Sequence, residues 1–321
     1  MLAMLLACAP TPHPHVQGVT DNTPALVGWD APEEPWVALC DAGAAAVIDD
    51  HGYPTIQGAL DTGAASVSVC PGTWTEALTI SHSVTLSGTG AAAETVLSGD
   101  GTHRVVQLNA GEHTLSHLTI TDGWTATDGA GIRSRGDALT LDDVIVHSNR
   151  AEWAGAGLDV ATAGPITLLN AVFHGNIAGA QGGAVKVVPL ADTDLVVIGG
   201  RFVGNWSEGN AGAVAIETIS VDLDAHFIET AFVDNGAFEH GGAVQMTSAW
   251  GVGGGGLVFE DSAVIRNRSA ARPSAAVEVD AHSVDSANTD WGADDDDNGP
   301  QDVRSADGTV VSVDGVGALT L

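Results

Sequence analysis

Lys186 is the only lysine in the chain. It stands 27 residues after Asp159, and Asp159 stands 26 after Arg133. A carboxylate flanked by cations is minimal equipment for proton transfer at a sugar, because the cations set its charge state and hold an anionic substrate. The same three side chains can instead form a cross-strand charge ladder, which stabilises a sheet by about 0.2–1 kcal/mol per pair. Metal-assisted chemistry would need more carboxylates, since one alone holds Ca²⁺ poorly. Glycoside hydrolysis would need a second carboxylate roughly 5–9.5 Å from the first. Asp142 and Asp143 are adjacent and would point to opposite faces of a strand. Asp294, Asp296, Asn298 and Asp302 offer oxygen ligands for Ca²⁺ without the spacing of an EF-hand loop, and they read better as a solvated acidic loop. His113 and His117 lie four apart, which on an extended strand makes no shared metal face. Neither a nucleophile elbow nor a phosphate-binding loop occurs. No cofactor is expected.

A second set of residues could bind rather than react. Trp124 follows Gly123, Trp153 lies four after Asn149, Trp206 follows Asn205, and Phe238 lies three after Asn235. Rings repeated at a turn offer stacking platforms to sugars or apolar patches to a protein partner. The alternative is that each ring folds back to cover its own turn.

Both sets are spaced by a unit written six times between Gly129 and Val279. Each copy opens on small residues and an aliphatic: Gly129-Ala130-Gly131-Ile132, Gly155-Ala156-Gly157-Leu158, Gly182-Gly183-Ala184-Val185, Ala211-Gly212-Ala213-Val214, Gly241-Gly242-Ala243-Val244 and Ser274-Ala275-Ala276-Val277. A second marker keeps step with the first. It is an apolar residue three before an asparagine, as in Val146/Asn149, Phe173/Asn176, Phe202/Asn205, Phe232/Asn235 and Val264/Asn267. Repeats of this length mean a solenoid or an array. The runs between markers alternate apolar and polar and are rich in Val, Ile, Thr and Phe, which argues strands. The predicted fold is all-β, a right-handed parallel β-helix of about three short strands per coil. Alternation then turns 132, 158, 185, 214, 244 and 277 inward. It stacks Arg133, Asp159, Lys186, Ala215, Gln245 and Glu278 in one outward column. The asparagines either mark turns, where a left-handed conformation suits them, or hydrogen-bond to one another up the stack.

Phe173-His-Gly-Asn176 followed by Gly182-Gly-Ala-Val185 resembles the repeat of the polymorphic outer-membrane proteins, bacterial surface β-helices. Phe232-Val-Asp-Asn235 with Gly241-Gly-Ala-Val244 matches too, and Phe202-Val-Gly-Asn205 is followed by the weaker Ala211-Gly-Ala-Val214. The resemblance covers roughly half the chain. It implies a β-helix at a cell surface, adhesion as the commonest role and no catalytic residues. The chain has no room for that family's C-terminal barrel, so its attachment must differ.

Leu5-Leu6-Ala7-Cys8 looks like a bacterial lipobox, which would make Cys8 a lipidated N-terminus at the outer membrane. The short apolar run before it lacks a positive n-region, so either the true start lies upstream or the match is spurious. Residues 1–8 then form the signal segment and the proline-rich 9–35 a tether. The β-helix domain spans 36–321. Within it, a cap covers 36–64, irregular coils 65–128, regular repeats 129–280 and a closing segment 281–321. The apolar positions 56, 59, 60 and 64 predict a short helix that plugs the end of the solenoid, which such folds need. This opening, with Pro71-Gly-Thr-Trp-Thr-Glu76, resembles the first turns of pectin methylesterases, but that family's later motifs are missing. Cys40 and Cys70 form an even pair in an exported chain, which suggests a disulfide. A net charge of −31 excludes nucleic acid and anionic lipid as partners. The expected protein is a monomeric, non-catalytic surface β-helix for adhesion, glycan contact or envelope coating. Its partner would be a glycan or a surface protein, and its only membrane contact a lipid anchor. The alternative is a carbohydrate-active enzyme, a lyase or hydrolase, working on the Arg133–Asp159–Lys186 face.

Overall fold

Apolar residues every second position, punctuated by glycine and asparagine, build a parallel β-solenoid of about seven turns. The computed structural model describes residues 39–249, 252–270, 275–280, 282–292, 301–305 and 311–313, with backbone alone at 275, 301, 302, 304, 305 and 311–313. All of them belong to the unit Pro35–Leu321.

Each regular coil contributes to three sheets. Sheet 1 holds the strands after the small triplet, among them Ile132–Ser134, Leu158–Val160, Val185–Val187, Val214–Thr218, Val244–Ser248 and Ala275–Val279. Sheet 2 is longer and bends midway. Ala138–His147 is continuous, whereas the next coils break into Ile166–Leu169 and Val172–His174, then Thr193–Ile198 and Arg201–Val203. Sheet 3 consists of two-residue strands: Trp124–Thr125, Arg150–Ala151, Ile177–Ala178, Trp206–Ser207, Gly236–Ala237 and Arg268–Ser269. Neighbouring strands in these coils pair in parallel without slippage.

The inward side chains stack like on like. Phe173, Phe202 and Phe232 lie face to face, with centroids 5.2 and 4.8 Å apart. Phe259 closes this column edge-on against Phe232. The aliphatics Ile132, Leu158, Val185, Val214, Val244 and Val277 are all buried.

The asparagines form a ladder. Asn149 Nδ2 donates to Asn176 Oδ1 at 3.0 Å, Asn176 to Asn205 at 3.0 Å, Asn205 to Asn235 at 2.9 Å and Asn235 to Asn267 at 2.8 Å. Each Oδ1 also accepts the backbone N–H of the preceding asparagine. The second proton of each Nδ2 reaches a carbonyl one coil back, such as Phe173 O for Asn205. All five are buried and saturated. They are not themselves left-handed, contrary to one reason given for them. The residue before each takes the positive φ: Ser148, Gly175, Gly204, Asp234 and Arg266. The asparagine is selected for its amide, and its neighbour makes the turn.

The triplet begins with another left-handed residue, at Gly129, Gly155, Gly182, Ala211 and Gly241. The chain then passes close behind sheet 3. A methyl on Gly242 would lie 2.4 Å from the backbone nitrogen of Arg268, and one on Gly212 would lie 2.5 Å from that of Gly236. With the two layers so close, the inward residues of sheet 3 are small: Ala151, Ala178, Ser207, Ala237 and Ser269. Every large residue of sheet 3 therefore occupies the outward position.

The end of the solenoid carries helix α1, Ile56–Leu60, whose Ile56, Ala59 and Leu60 join the main core. Thr55 Oγ1 accepts from Gly58 N, and the Glu76 carboxylate accepts from the N–H groups of Ile56 and Gln57 at 2.9 and 3.0 Å. Glu76, noted in the sequence for its esterase-like setting, here caps a helix. The structure joins Cys40 to Cys70, with Cα atoms 5.4 Å apart.

Candidate functional site

Parallel register places Arg133 beside Asp159, Asp159 beside Lys186, Lys186 beside Ala215, and Gln245 beside Glu278. The column is the one that alternation predicts. Its side chains nevertheless lie under cover: Asp159 is 3% and Lys186 6% exposed. The expected Asp159–Lys186 pair does not form. Asp159 is held by Arg135, whose Nη2 bonds its Oδ2, while Arg133 Nε stands 3.8 Å from the same oxygen. Lys186 Nζ turns the other way, to Glu217 Oε2 at 2.8 Å and to Gln181 Oε1. The reason is the segment between sheets 3 and 1, which arches over the column. Gln181 comes from it, and so does His240, whose Nδ1 stands 3.1 Å from Glu278 Oε2. Arg104 ties down the first of these arches through Gly129 O, Asp128 O and Thr127 Oγ1.

Burial pushes the Asp159 carboxyl above the ordinary carboxylate range, and Arg135 opposes the shift. Burial likewise lowers the pKa of Arg104, with Arg133 adding to the effect. The cluster is a charged knot closed by its own members. Sequence reasoning missed Arg104, Arg135 and Glu217, because none of them lies in the outward column.

The aromatic flank is open. Trp153 is 64% exposed, Phe238 60%, Trp206 41% and Trp124 37%, and no other Trp, Phe or Tyr among the described residues is exposed. The four do not make a single row. Trp124 and Trp206 share the outward column of sheet 3, which reads Trp124, Arg150, Ile177, Trp206, Gly236, Arg268. Trp153 and Phe238 lie beyond the strand ends, on the arches to sheet 1. Trp206 covers the following coil rather than its own turn, since a methyl on Gly236 would lie 2.6 Å from the ring.

Two open depressions form on this column. One, of about 450 Å³, is lined by Asp100, Asp122, Trp124, Ser148 and Arg150. The other, of about 360 Å³, is lined by Trp206, Asp234, Arg266 and Arg268. In the second, Arg266 grips Asp234 through two bonds of 2.8 and 2.9 Å. That contact, joined by the nearby Arg268 charge, holds the Asp234 carboxyl below its usual range. The side chains of Arg150 and Arg268 make no hydrogen bond or ion pair with any described residue. Both arginines were missed from the sequence, although one rule finds them: the residue directly after each ladder asparagine points outward.

Cys8, Asp294, Asp296 and Asn298 lie outside the described residues, and Asp302 is described only as backbone in Gln301–Ser305. No group of three or more metal-ligating side chains occurs among the described residues. No protein-family model matches the chain, and no curated protein matches it in sequence.

Proposed function

We propose that this chain is an exported bacterial surface protein of the polymorphic outer-membrane-protein kind. A lipid on Cys8 holds it to the outer membrane, and it acts by contact, through adhesion, glycan binding or envelope coating, without a catalytic centre. The observation that carries the reading is the concentration of every exposed tryptophan and phenylalanine among the described residues on one flank of the solenoid. Exposed Trp beside unpartnered Arg is the composition of binding hot spots. The closed charged column is consistent with it: Asp159 and Lys186 spend their charges on neighbouring side chains.

The second reading, a carbohydrate-active enzyme on the Arg133–Asp159–Lys186 face, draws on the raised pKa of Asp159, a property that a general acid needs. Its partners are cations, however, and Arg135 occupies the carboxylate. The test incubates the full chain with a panel of polysaccharides and, in parallel, with immobilised glycans and matrix proteins. Selective retention without cleavage is the expected result. Cleavage that disappears in Asp159→Ala overturns the reading. Anchoring has a separate test: Cys8→Ser should move the protein from the membrane to the soluble fraction, and unchanged fractionation removes the lipid from the proposal.

A further inference from the structure

We propose that the outward column of sheet 3 is a platform for an uncharged, linear polysaccharide, with Trp124 beside Arg150 as one subsite and Trp206 beside Arg268 as a second. The proposal rests on the contact reading above and names its ligand.

The two subsites are built alike. Each has a tryptophan directly after the ladder position, exposed along a face, where the C–H side of a sugar ring can stack. In the first, Arg150 is the register neighbour of Trp124. In the second, Trp206 leans over Gly236, and Arg268 is the next residue in the column. Each guanidinium is free of partners among the described residues and offers donors. The first depression also holds the carboxylates of Asp100 and Asp122, and the second that of Asp234, which Arg266 already engages; carboxylates are acceptors only. A sugar hydroxyl both donates and accepts, so it satisfies both kinds of group. A uronate or a sulfated sugar would meet the aspartates, and a chain of net charge −31, as like charge. The chemistry therefore favours a neutral glycan.

The spacing adds the word linear. Trp124 and Trp206 are three coils apart on one unbroken parallel ladder, about 14 Å at strand spacing. The ladder between them carries Arg150 and Ile177, both exposed. Two like subsites on one rigid line reward a ligand that repeats along its length, because the second contact becomes intramolecular.

The experiment is calorimetric titration of the full chain with neutral hexasaccharides (cello-, chito- and mannohexaose), their disaccharides, and an oligogalacturonate. The expected result is binding of at least one neutral hexasaccharide, with its disaccharide more than tenfold weaker. Trp124→Ala and Trp206→Ala should each lower affinity at least tenfold. Arg150→Ala should lower it at an unchanged melting temperature. Trp206→Tyr keeps a ring over Gly236 and should retain most of the binding, which separates lost stacking from local unfolding. The proposal is overturned if no neutral hexasaccharide binds, if oligogalacturonate binds best, or if both tryptophan variants bind like the parent. Adhesion of the same protein to glycan-free protein surfaces is read alongside. Adhesion there without glycan binding overturns the subsites and leaves the contact reading standing; absence of both removes the two together.

Discussion

Asn205 Oδ1 accepts two hydrogen bonds from Asn176, one from its side-chain amide at 3.0 Å and one from its backbone N–H at 3.1 Å. Asn205 Nδ2 in turn donates to Asn235 Oδ1 and Phe173 O. One side chain thus satisfies four buried groups of the two adjoining coils. Asn205→Ala strands three of them, since Asn235 Oδ1 keeps the backbone N–H of residue 205, and at about 1–3 kcal/mol for each group left unsatisfied, partly relieved by relaxation, the expected loss is about 3–5 kcal/mol. Asn205→Asp is nearly isosteric but cannot donate, and it aims a carboxylate at Asn235 Oδ1 and Phe173 O. It should unfold at lower urea than Asn205→Ala. If the Asp variant matches the parent, the ladder contributes little.

Ala211 holds φ 55° where Gly182 and Gly241 hold 61° and 62° in the adjoining coils. A left-handed non-glycine residue costs about 1–2 kcal/mol, set against about 0.8 kcal/mol for the buried methyl. Ala211→Gly should therefore be neutral or stabilising by up to about 1 kcal/mol. Gly182→Ala should destabilise clearly, because its methyl would meet Val185 O at 2.2 Å. Thermal melts of the two variants check the asymmetry.

The Cys40–Cys70 bond ties the segment before helix α1 to the end of a sheet 2 strand, across 30 residues. Closing such a loop stabilises by about 3–4 kcal/mol on the chain-entropy model. Cys40→Ser and Cys70→Ser should each lose that amount, and the double variant no more than either single one. Additive losses would show that each cysteine acts through its packing instead.

Burial lowers the pKa of His113, His147 and His174, and His174 lowers that of His147 further, the two rings stacking at 4.6 Å. The fold thus prefers the neutral rings. Above about pH 6.5, the ordinary histidine value, both folded and unfolded chains carry neutral rings and this stability is complete. Below it the unfolded chain takes up protons that the fold refuses, and stability falls with pH until the folded values are passed. Urea midpoints should be level above about pH 7 and decline through about pH 6 to 5. His113→Leu, matching its register neighbour Leu139, should flatten that decline; an unchanged slope would assign it to other groups.

The repeat, the strand character, the inward aliphatics and the register of the column from Arg133 to Glu278 were legible in the sequence, whereas the outward column of sheet 3 was not. The reason is physical. A strand alternates sides with period two, and a solenoid stacks equivalent positions, so finding two markers such as Phe173 and Val185 places everything between them. The sequence could not say whether Asn176 bonds to Asn205 or merely sits at a turn, because both uses select the same residue. The fate of outward residues also needed the tertiary structure. Alternation puts Asp159 and Trp206 equally on the outside, yet an arch closes over the first and leaves the second open. The arch takes its path from the left-handed start of each triplet and the close passage of glycine behind sheet 3. Charges then pair with whatever the arch brings near. Lys186 finds Gln181 and Glu217, Asp159 finds Arg135, and the side chains of Arg150 and Arg268, on the open flank, make no hydrogen bond or ion pair with a described residue.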